Sequence, residues 1–236
     1  MDDMIGARVT LITGGGSGIG AAAASALVAR GQRVSVVGRS AQRLEAFATE
    51  TGSADAVLTW AGDTADFGAM RAAVDATLAR FGRLDAVVAG AAFATIGDLE
   101  QGDPAEWREM ILTNVLGPAV LIKAALPALR ASQGRIVLIG STVGLTHSRG
   151  NLYGATKWAL TGLAENARQQ VTGEGIGVTL IAPGRVETPF WDVHGGVPEG
   201  HNLTAAQVAD SIVWTLGQPV GVDVNTVVVR PIGAAG

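Results

Sequence analysis

Short apolar runs rich in β-branched residues alternate with alanine-rich segments along the whole chain. Because each run is apolar at consecutive rather than alternate positions, the runs are typical of strands buried on both faces of a parallel sheet. The pattern predicts seven strands, at 8–13, 33–37, 56–60, 85–89, 135–139, 177–181 and 226–230. The segments between them predict helices at 19–30, 41–50, 66–81, 104–130, 151–172 and 205–216.

Several of these helices carry boundary signals. The stretches from Asp103 to Glu106 and from Thr204 to Gln207 resemble capping boxes, and Gly31 and Gly82 follow predicted helix ends. Alternating strands and helices with right-handed crossovers predict an α/β fold: one doubly wound domain with a seven-stranded parallel sheet and helices on both faces. Ligands of such a fold bind beyond the carboxyl ends of the strands.

Composition excludes several kinds of chemistry. The 236 residues include no cysteine, and the three histidines, His147, His194 and His201, lack the spacing of metal ligands. The net charge of −4 and the absence of a basic run give no reason to expect nucleic acid as a partner. An acidic N-terminus and the lack of a long uninterrupted apolar stretch lead us to expect a cytoplasmic protein without a membrane segment.

A glycine-rich loop joins the first predicted strand to the first helix. Its backbone N–H groups and the positive end of the helix dipole suit a pyrophosphate, and the spacing is Gly-x-x-x-Gly-x-Gly. The alternative is a tight structural turn. We predict nucleotide binding by Thr13, Gly14, Gly16, Ser17, Gly18, Ile19 and Gly20.

The end of the second strand bears on the choice of nucleotide. An acidic residue there usually binds the ribose of NAD, whereas an arginine can hold the 2′-phosphate of NADP. This chain has Arg39 and Ser40 and no carboxylate, with Arg43 nearby. The pattern favours NADP(H) over NAD(H), unless Arg39 is only a solvated loop residue. Asp63, after strand three, is a candidate for the adenine amino group or a helix cap.

Tyr153, the only tyrosine, lies four residues before Lys157 on a predicted helix, so the two side chains share one face. A nearby ammonium lowers the pKa of a phenol. Tyr153 is therefore a candidate proton donor, and Lys157 is a candidate for the group that lowers its pKa. Such a pair also arises by chance, as a half-buried aromatic beside a solvated charge.

Together these motifs resemble the short-chain dehydrogenase/reductase family over nearly the whole chain. The glycine loop, Asn114, Ser141, the pair of Tyr153 and Lys157, and the turn from Pro183 to Thr188 follow in the family's order. The resemblance implies a Rossmann-type fold, a dinucleotide cofactor, a small-molecule substrate and assembly into a homotetramer or dimer.

The resemblance also implies roles for these residues. Ser141 would orient the substrate oxygen, Tyr153 would exchange its proton, Lys157 would grip the nicotinamide ribose and lower the tyrosine pKa, and Asn114 would anchor a water relay. Contacts to the cofactor are expected from Ala89, Gly90, Ala91, Asn114, Tyr153, Lys157, Pro183, Gly184, Val186 and Thr188. Hydride transfer to a carbonyl builds negative charge on oxygen, which a donor, an orienting group and a cation would stabilise.

The chain departs from the family pattern at two places. Ala89-Gly90-Ala91-Ala92 stands where the family usually has Asn-Asn-Ala-Gly, so two amide side chains are missing. The loop from Ser141 to Tyr153 is one residue shorter than the common form, which leaves Thr142 as an alternative to Ser141. Neither change removes the proton donor.

Residues 187–203 lack periodicity and predict a lid over the substrate, with an ordinary connecting loop as the alternative. Phe190, Trp191, Thr142 and His147 are the candidate substrate contacts. The C-terminal sequence resembles the branch with 3-hydroxy acid dehydrogenases and related aldehyde reductases, which implies a small polar substrate.

We predict an NADP(H)-dependent oxidoreductase acting on a carbonyl or secondary alcohol. An NAD-linked alcohol dehydrogenase and a nucleotide-sensing protein without turnover are the alternatives. The intact Ser141, Tyr153 and Lys157 argue against the sensing protein, and only the altered segment from Ala89 to Ala92 supports it.

Overall fold

A computed structural model describes residues 8–146 and 151–233. Seven parallel strands form one sheet in the order β3-β2-β1-β4-β5-β6-β9. These strands are β1 (Val9–Thr13), β2 (Arg33–Gly38), β3 (Val57–Ala61), β4 (Ala86–Ala89), β5 (Arg135–Ile139), β6 (Gly177–Pro183) and β9 (Thr226–Val229). All seven predicted strands are thereby confirmed, with their ends shifted by at most two residues.

Two further strands were not predicted. β7 (Val186–Glu187) and β8 (Leu203–Thr204) pair in parallel at the two ends of the segment that follows β6. Each contains two residues, which is too short for an alternation of apolar and polar positions to be visible in the sequence.

Helices cover both faces of the sheet. They are α1 (Gly18–Val28), α2 (Ala41–Thr51), α3 (Phe67–Phe81), α4 (Pro104–Ile111), α5 (Gly117–Ser132), α6 (Leu152–Val171) and α7 (Ala205–Leu216). The predicted doubly wound Rossmann-type fold is therefore confirmed. Successive strand residues point to opposite faces: Ile136 and Leu138 pack in the core on one side, and Val137 and Ile139 in the core on the other.

The helix predicted at 104–130 is not continuous. Residues Leu112–Leu116 form a π-helical turn between α4 and α5, centred on the buried Asn114. The apolar periodicity of the region predicts helix, but it does not distinguish a regular turn from a widened one. Single π turns often lie at functional sites.

The boundary signals had mixed outcomes. Thr204 and Gln207 form a reciprocal capping box at α7, as predicted. Asp103 caps α4 by accepting from the N–H of Ala105 at 2.8 Å, but no reciprocal bond completes the box predicted there. Gly82 ends α3 with a φ of +77°, a conformation that glycine adopts without steric cost.

The helical stretch Pro104–Ser132 has the length and apolar composition of a membrane span, with a mean hydropathy of 1.6. It is the only such stretch within the described residues. Leu121, Ala125 and Leu129 of this stretch belong to the core on one face of the sheet, whereas Ile111 and Leu116 are exposed. Packing against the sheet therefore accounts for part of its hydropathy.

Candidate active site

A cleft of about 1140 Å³ opens at the carboxyl edge of the sheet. The strand order reverses between β1 and β4, and in folds of this kind ligands bind at that switch point. The cleft is lined by residues that follow β1, β2, β4, β5 and β6 and by residues of α4 and α6. The fold thus brings the separate sequence motifs to one cavity.

The glycine loop after β1 fits a phosphate cradle. Gly14 and Gly18 have φ values of +69° and +54°, and a Cβ at Gly14 would lie 2.8 Å from the backbone nitrogen of Ala91. A Cβ at Gly20 would collide with the carbonyl of Gly14. Glycine is needed at these positions because backbone occupies the space of any side chain.

The start of α1 completes this cradle. Ser17 is its N-cap and makes no capping bond with its own side chain, and the first turn carries no acidic residue. Gly16, Ser17, Gly18, Ile19 and Gly20 all line the cleft. Amide groups of a helix N-terminus attract anions, so the loop and helix together suit a pyrophosphate.

A cationic group lies at the end of β2. Arg39, Ser40 and Arg43 line the cleft, and no carboxylate lies between Gly38 and Arg43. The Ser40 hydroxyl caps α2 by accepting from the N–H of Arg43 at 3.3 Å. Arg39 sits with its guanidinium carbon 5.9 Å from the centroid of the Phe93 ring. The exposed guanidinium groups leave this end of the cleft positively charged.

Asp63 lies in a turn rather than in the cleft wall. Its Oδ1 accepts from the N–H of Ala65 at 2.9 Å, while Thr64 lines the cleft. Asp66, and not Asp63, caps α3, by accepting from Ala69 at 2.8 Å. A contact between Asp63 and adenine therefore remains a prediction, and the helix-capping alternative was wrong.

Thr13 holds the segment that lacks the family's asparagines. The N–H of Gly90 donates to both the carbonyl and the hydroxyl of Thr13, at 3.1 and 3.2 Å. A Cβ at Gly90 would lie 2.8 Å from that carbonyl. Ala89 is buried at the end of β4, and Gly90, Ala91 and Ala92 line the cleft. Close backbone packing therefore holds this segment where amide side chains are missing.

Asn114 joins two walls of the cleft. Its Oδ1 accepts from the N–H of Phe93 at 3.1 Å, and its Nδ2 donates to the carbonyl of Phe93 at 2.8 Å and to Thr156 Oγ1 at 3.1 Å. Thr156 Oγ1 in turn donates to the carbonyl of Tyr153 at 2.7 Å. The fully buried amide thus connects the loop after β4 with the helix that carries Tyr153.

Tyr153, Ser141 and Lys157 meet at the opposite end of the cleft from Arg39. The Ser141 and Tyr153 hydroxyls are hydrogen-bonded to each other. Lys157 is almost fully buried, and its Nζ donates to the carbonyl of Ile139 at 2.9 Å and lies 5.5 Å from the Tyr153 ring centroid. The hydrogen bond with Tyr153 is made by Ser141. Thr142, the alternative that the sequence left open, lines the cleft next to Ser141.

Burial controls the protonation of this group. It raises the pKa of Tyr153 above its usual range, and the hydrogen bond with Ser141 lowers it only in part. It also lowers the pKa of Lys157 to about 8. The raised pKa is opposite to the lowered pKa that the sequence led us to expect, because desolvation is the dominant effect on the phenol. A pKa-lowering effect of Lys157 itself remains a prediction.

Residues between β7 and β8 form part of the cleft wall. A 3₁₀ helix, Pro189–His194, places Phe190 with its ring centroid 5.5 Å from that of Tyr153. Trp191 packs edge-on against Phe190 at 5.3 Å, and its Nε1 donates to the carbonyl of Val186 at 2.8 Å. Phe190 therefore lies beside Tyr153 and Trp191 lies beside Phe190, whereas His147 is outside the described residues.

The turn after β6 also lies where the sequence predicted. Pro183, Gly184, Val186 and Thr188 line the cleft, and Thr188 contacts the glycine loop, since a Cβ at Gly18 would be 3.3 Å from its side chain. This turn therefore reaches from the end of the cleft where Tyr153 lies to the glycine loop.

The sequence interpretation missed several residues of the site. Asn151 caps α6 by accepting from the N–H of Tyr153 at 3.0 Å and donates to the carbonyl of Thr95 at 2.8 Å. Its position just before the helix was a visible capping signal. Phe93, Thr95 and Thr156 lie on other elements, and no local pattern links them to Asn114 or Asn151.

Comparisons with known proteins agree with this geometry. Residues 8–194 match the short chain dehydrogenase family. A trans-4-hydroxycyclohexanecarboxylate dehydrogenase of Sinomonas cyclohexanicum is 33% identical, over 91% of this chain and 87% of that protein.

Two solved structures are similar over nearly their full length. An alcohol dehydrogenase from the archaeon Thermococcus sibiricus, complexed with 5-hydroxy-NADP, has a TM-score of 0.88 and 28% identity, covering 97% of this chain and 98% of that one. A 3-ketoacyl-(acyl-carrier-protein) reductase from Brucella melitensis, complexed with NADH, has a TM-score of 0.86 and 26% identity, covering 96% and 98%.

Proposed function

The chain belongs to the short chain dehydrogenase family, and from that membership we propose that it is an NADP(H)-dependent reductase of a small carbonyl compound. An oxidoreductase that transfers a hydride with a nicotinamide dinucleotide is what the family and its structural neighbours have in common. The observation that carries the finer proposal is the meeting of Tyr153, Ser141 and Lys157 in one cleft with the Arg39 group at its other end.

The residues of the cleft fit the two ends of the dinucleotide. The loop from Gly14 to Gly20 would hold the pyrophosphate, and Arg39, Ser40 and Arg43 would hold the 2′-phosphate. Lys157, Val186 and Thr188 would hold the nicotinamide riboside. When bound there, the reduced cofactor supplies a hydride to the carbonyl carbon of the substrate.

The protein's own groups would complete the reduction at oxygen. Tyr153 donates its hydroxyl proton to the substrate oxygen, so that the carbonyl gains a hydride at carbon and a proton at oxygen and becomes an alcohol. Ser141 donates a hydrogen bond to the same oxygen and fixes its position. Burial raises the pKa of Tyr153, so the phenol is protonated at neutral pH and carries the proton that reduction consumes.

We assign Asn114 a positioning role. Its three hydrogen bonds fix the loop at Phe93 and the helix turn at Thr156, one turn after Tyr153. The water relay implied by the family resemblance would start near this residue. Residues 187–203 would form a lid over the substrate, and Phe190 and Trp191 would be its apolar wall. This wall would exclude water from the substrate oxygen.

Homo-oligomerisation is a further part of the proposal. Large apolar side chains are exposed on α4, α6 and α7 and near the C-terminus. Among them are Trp158, Trp214, Val220 and Ile232. An assembly of two or four copies would cover such groups. The lack of a basic surface motif favours a small-molecule substrate over nucleic acid, and the expected location of the protein is the cytoplasm.

A cofactor-oxidation screen tests the function directly. The purified protein would be mixed with NADPH or NADH and a panel of aldehydes, ketones and oxo acids, with absorbance at the reduced nicotinamide band as the readout. We expect oxidation of NADPH with at least one carbonyl class. If the panel leaves both cofactors unoxidised while each still binds, a nucleotide-sensing protein becomes the better assignment.

Tyr153→Phe tests the proposed proton donor. The variant keeps the ring that packs against Phe190 but lacks the hydroxyl, so we expect turnover to fall by about 10²-fold or more while NADPH binding stays within twofold. The readouts are kcat for the best substrate of the screen and the Kd for NADPH from fluorescence titration. Near-normal turnover in this variant would contradict the mechanism.

A further inference from the structure

Arg185 lines the wall of the cleft, and no described residue pairs with its charge. It follows β6, between Gly184 and Val186, and is exposed. Its backbone is fixed, since its carbonyl accepts from the N–H of Leu203 at 2.8 Å. Within residues 8–146 and 151–233, no hydrogen bond or ion pair engages the guanidinium. The backbone of Arg185 is therefore held in place, while its guanidinium has no partner among the described residues.

Arg185 belongs to the end of the cleft where Tyr153 lies. The carbonyl of the next residue, Val186, accepts from Trp191 Nε1 at 2.8 Å. Trp191 contacts Phe190, and Phe190 contacts Tyr153, with ring centroids 5.3 and 5.5 Å apart. One continuous set of contacts thus connects the residue after Arg185 to the proposed proton donor.

Arg185 is too far from Arg39 to bind the same phosphate. Arg39 follows β2 and Arg185 follows β6, and the sheet order places four strand intervals between them. At about 4.8 Å per interval, the two backbone positions are roughly 19 Å apart. The phosphate-binding function proposed for Arg39 therefore does not account for Arg185.

The other charged groups at this end leave the cation available. Lys157 is buried and donates to the carbonyl of Ile139. Asp192 lines the cleft from the 3₁₀ helix, but among the described residues no ion pair joins it to Arg185. A planar guanidinium with parallel N–H donors matches the two oxygens of a carboxylate.

We propose that Arg185 binds a carboxylate of the substrate, so that the preferred substrates are oxo acids and the corresponding hydroxy acids. The carboxylate would accept from the guanidinium while the carbonyl oxygen lies between Ser141 and Tyr153. This inference rests on the proposed reductase function and adds to it the charge of the substrate.

The test compares acids with their neutral esters. Pyruvate, 4-oxopentanoate and 4-oxocyclohexanecarboxylate, each with its methyl ester, would be assayed with NADPH against wild type and Arg185→Gln. We expect wild type to prefer the acids in kcat/KM. The substitution should lower kcat/KM for the acids by on the order of 10- to 100-fold, mainly through KM, and leave the esters nearly unchanged.

Arg230→Gln is the matched control. Arg230 is also exposed, and its Cα lies 3.7 Å from where a Cβ on Gly184 would be, but it does not line the cleft. The control removes the same charge from the same neighbourhood and should keep the preference for acids. Both variants should melt at the wild-type temperature, because neither side chain is buried.

Three results would overturn the inference. The first is a wild-type kcat/KM for the esters that equals or exceeds that for the acids. The second is a preference for acids that is unchanged in Arg185→Gln. The third is a change in the KM for NADPH, and not in the KM for the acids, in that variant. If no pair is reduced at all, the proposed reductase function fails separately. Calorimetric titration of wild type with cyclohexanecarboxylate then decides: binding lost in Arg185→Gln supports the carboxylate site, and binding that is absent or unchanged contradicts it.

Discussion

In the proposed function, Arg39 decides between the two nicotinamide cofactors. It stands at the end of β2, where it lines the cleft with Ser40 and Arg43 and without a carboxylate. A phosphate there would meet two guanidinium groups and no like charge. Solved structures similar to this chain contain both NADP-type and NADH cofactors, so the fold alone does not decide the preference, and we propose that this local group does.

Arg39→Asp should shift the preference towards NADH. The carboxylate would repel the 2′-phosphate and could accept from the ribose hydroxyls of NAD, so we expect kcat/KM for NADPH to fall by about 10- to 100-fold. The measurement is the ratio of kcat/KM for the two cofactors. Arg33→Asp, at the opposite end of β2, is the control and should leave that ratio unchanged. An unchanged ratio in Arg39→Asp would mean that another group binds the phosphate.

Lys157 predicts a specific dependence of stability on pH. Burial lowers its pKa from 10.5 to about 8, so between these values the unfolded chain binds more protons than the folded one. The free energy of unfolding therefore rises with pH in this window. The raised pKa of Tyr153 acts with the opposite sign, but only above about pH 10, where an unfolded tyrosine ionises.

Denaturant unfolding at pH 7.5 and 9.5 checks this dependence. Wild type should gain stability on the order of 1 kcal/mol relative to Lys157→Met over this interval. Lys123→Met is the control, since Lys123 is the other lysine of the chain and is exposed on α5. A wild-type curve parallel to that of Lys157→Met would show that the pKa of Lys157 is not lowered.

The π-helical turn is the element that gives Asn114 its position. Asparagine is unfavourable in a helix interior, and here it lies fully buried with all of its described bonds made to Phe93 and Thr156. These bonds satisfy the N–H and carbonyl of Phe93, which is part of an irregular segment next to the cleft. The turn thus fixes a loop and the Tyr153 helix at the same time.

Asn114→Ala should cost about 2–4 kcal/mol of stability, because it removes a fully buried amide and leaves the N–H and carbonyl of the half-buried Phe93 without this partner. Activity should fall more than this loss of folded protein explains, since the turn after Tyr153 is released. Asn225→Ala is the control: the exposed Asn225 side chain donates only to Asp223, and the cost of its loss should stay below about 0.5 kcal/mol. Urea unfolding measures the loss of stability, and kcat at a temperature where both variants are folded measures the loss of activity. A loss of stability equal to that of Asn225→Ala would contradict the positioning role of Asn114.

At the scale of the whole molecule, the sheet order decides where the chemistry lies. β1 is flanked by β2 and β4, and β5 and β6 follow on the same side as β4. The Arg39 group and the Tyr153 group are consequently at opposite ends of one cleft, with the glycine loop between them. An extended dinucleotide spans such a cleft from its adenosine end to its nicotinamide end.

The exposed apolar groups predict an assembly. Light scattering after gel filtration should give two or four times the chain mass of 23.9 kDa. The double substitution Val220→Lys with Ile232→Lys should lower that mass without lowering the melting temperature, because these side chains are 78% and 96% exposed. Glu50→Lys, an exposed position on α2, should leave the mass unchanged. A wild-type mass near 24 kDa would contradict the predicted oligomer.

The sequence by itself determined the elements and most members of the site. Seven strands, most of the helices and the glycine loop follow from local patterns, because buried parallel strands are continuous apolar runs and positive φ angles require glycine. The π-helical break at Leu112–Leu116 does not follow from them. The motif order also identified Tyr153, Ser141, Lys157 and Asn114 as one group, although their roles remain proposals.

Only the tertiary structure decided how these residues are held and charged. The bonds from Asn114 to Phe93 and Thr156, from Asn151 to Thr95 and from Lys157 to Ile139 join elements far apart in the chain, so no local pattern contains them. The direction of the Tyr153 pKa shift, which the sequence interpretation predicted wrongly, depends on burial, and burial is a property of the packed molecule. The unpaired state of Arg185 likewise became visible only once its neighbours were known.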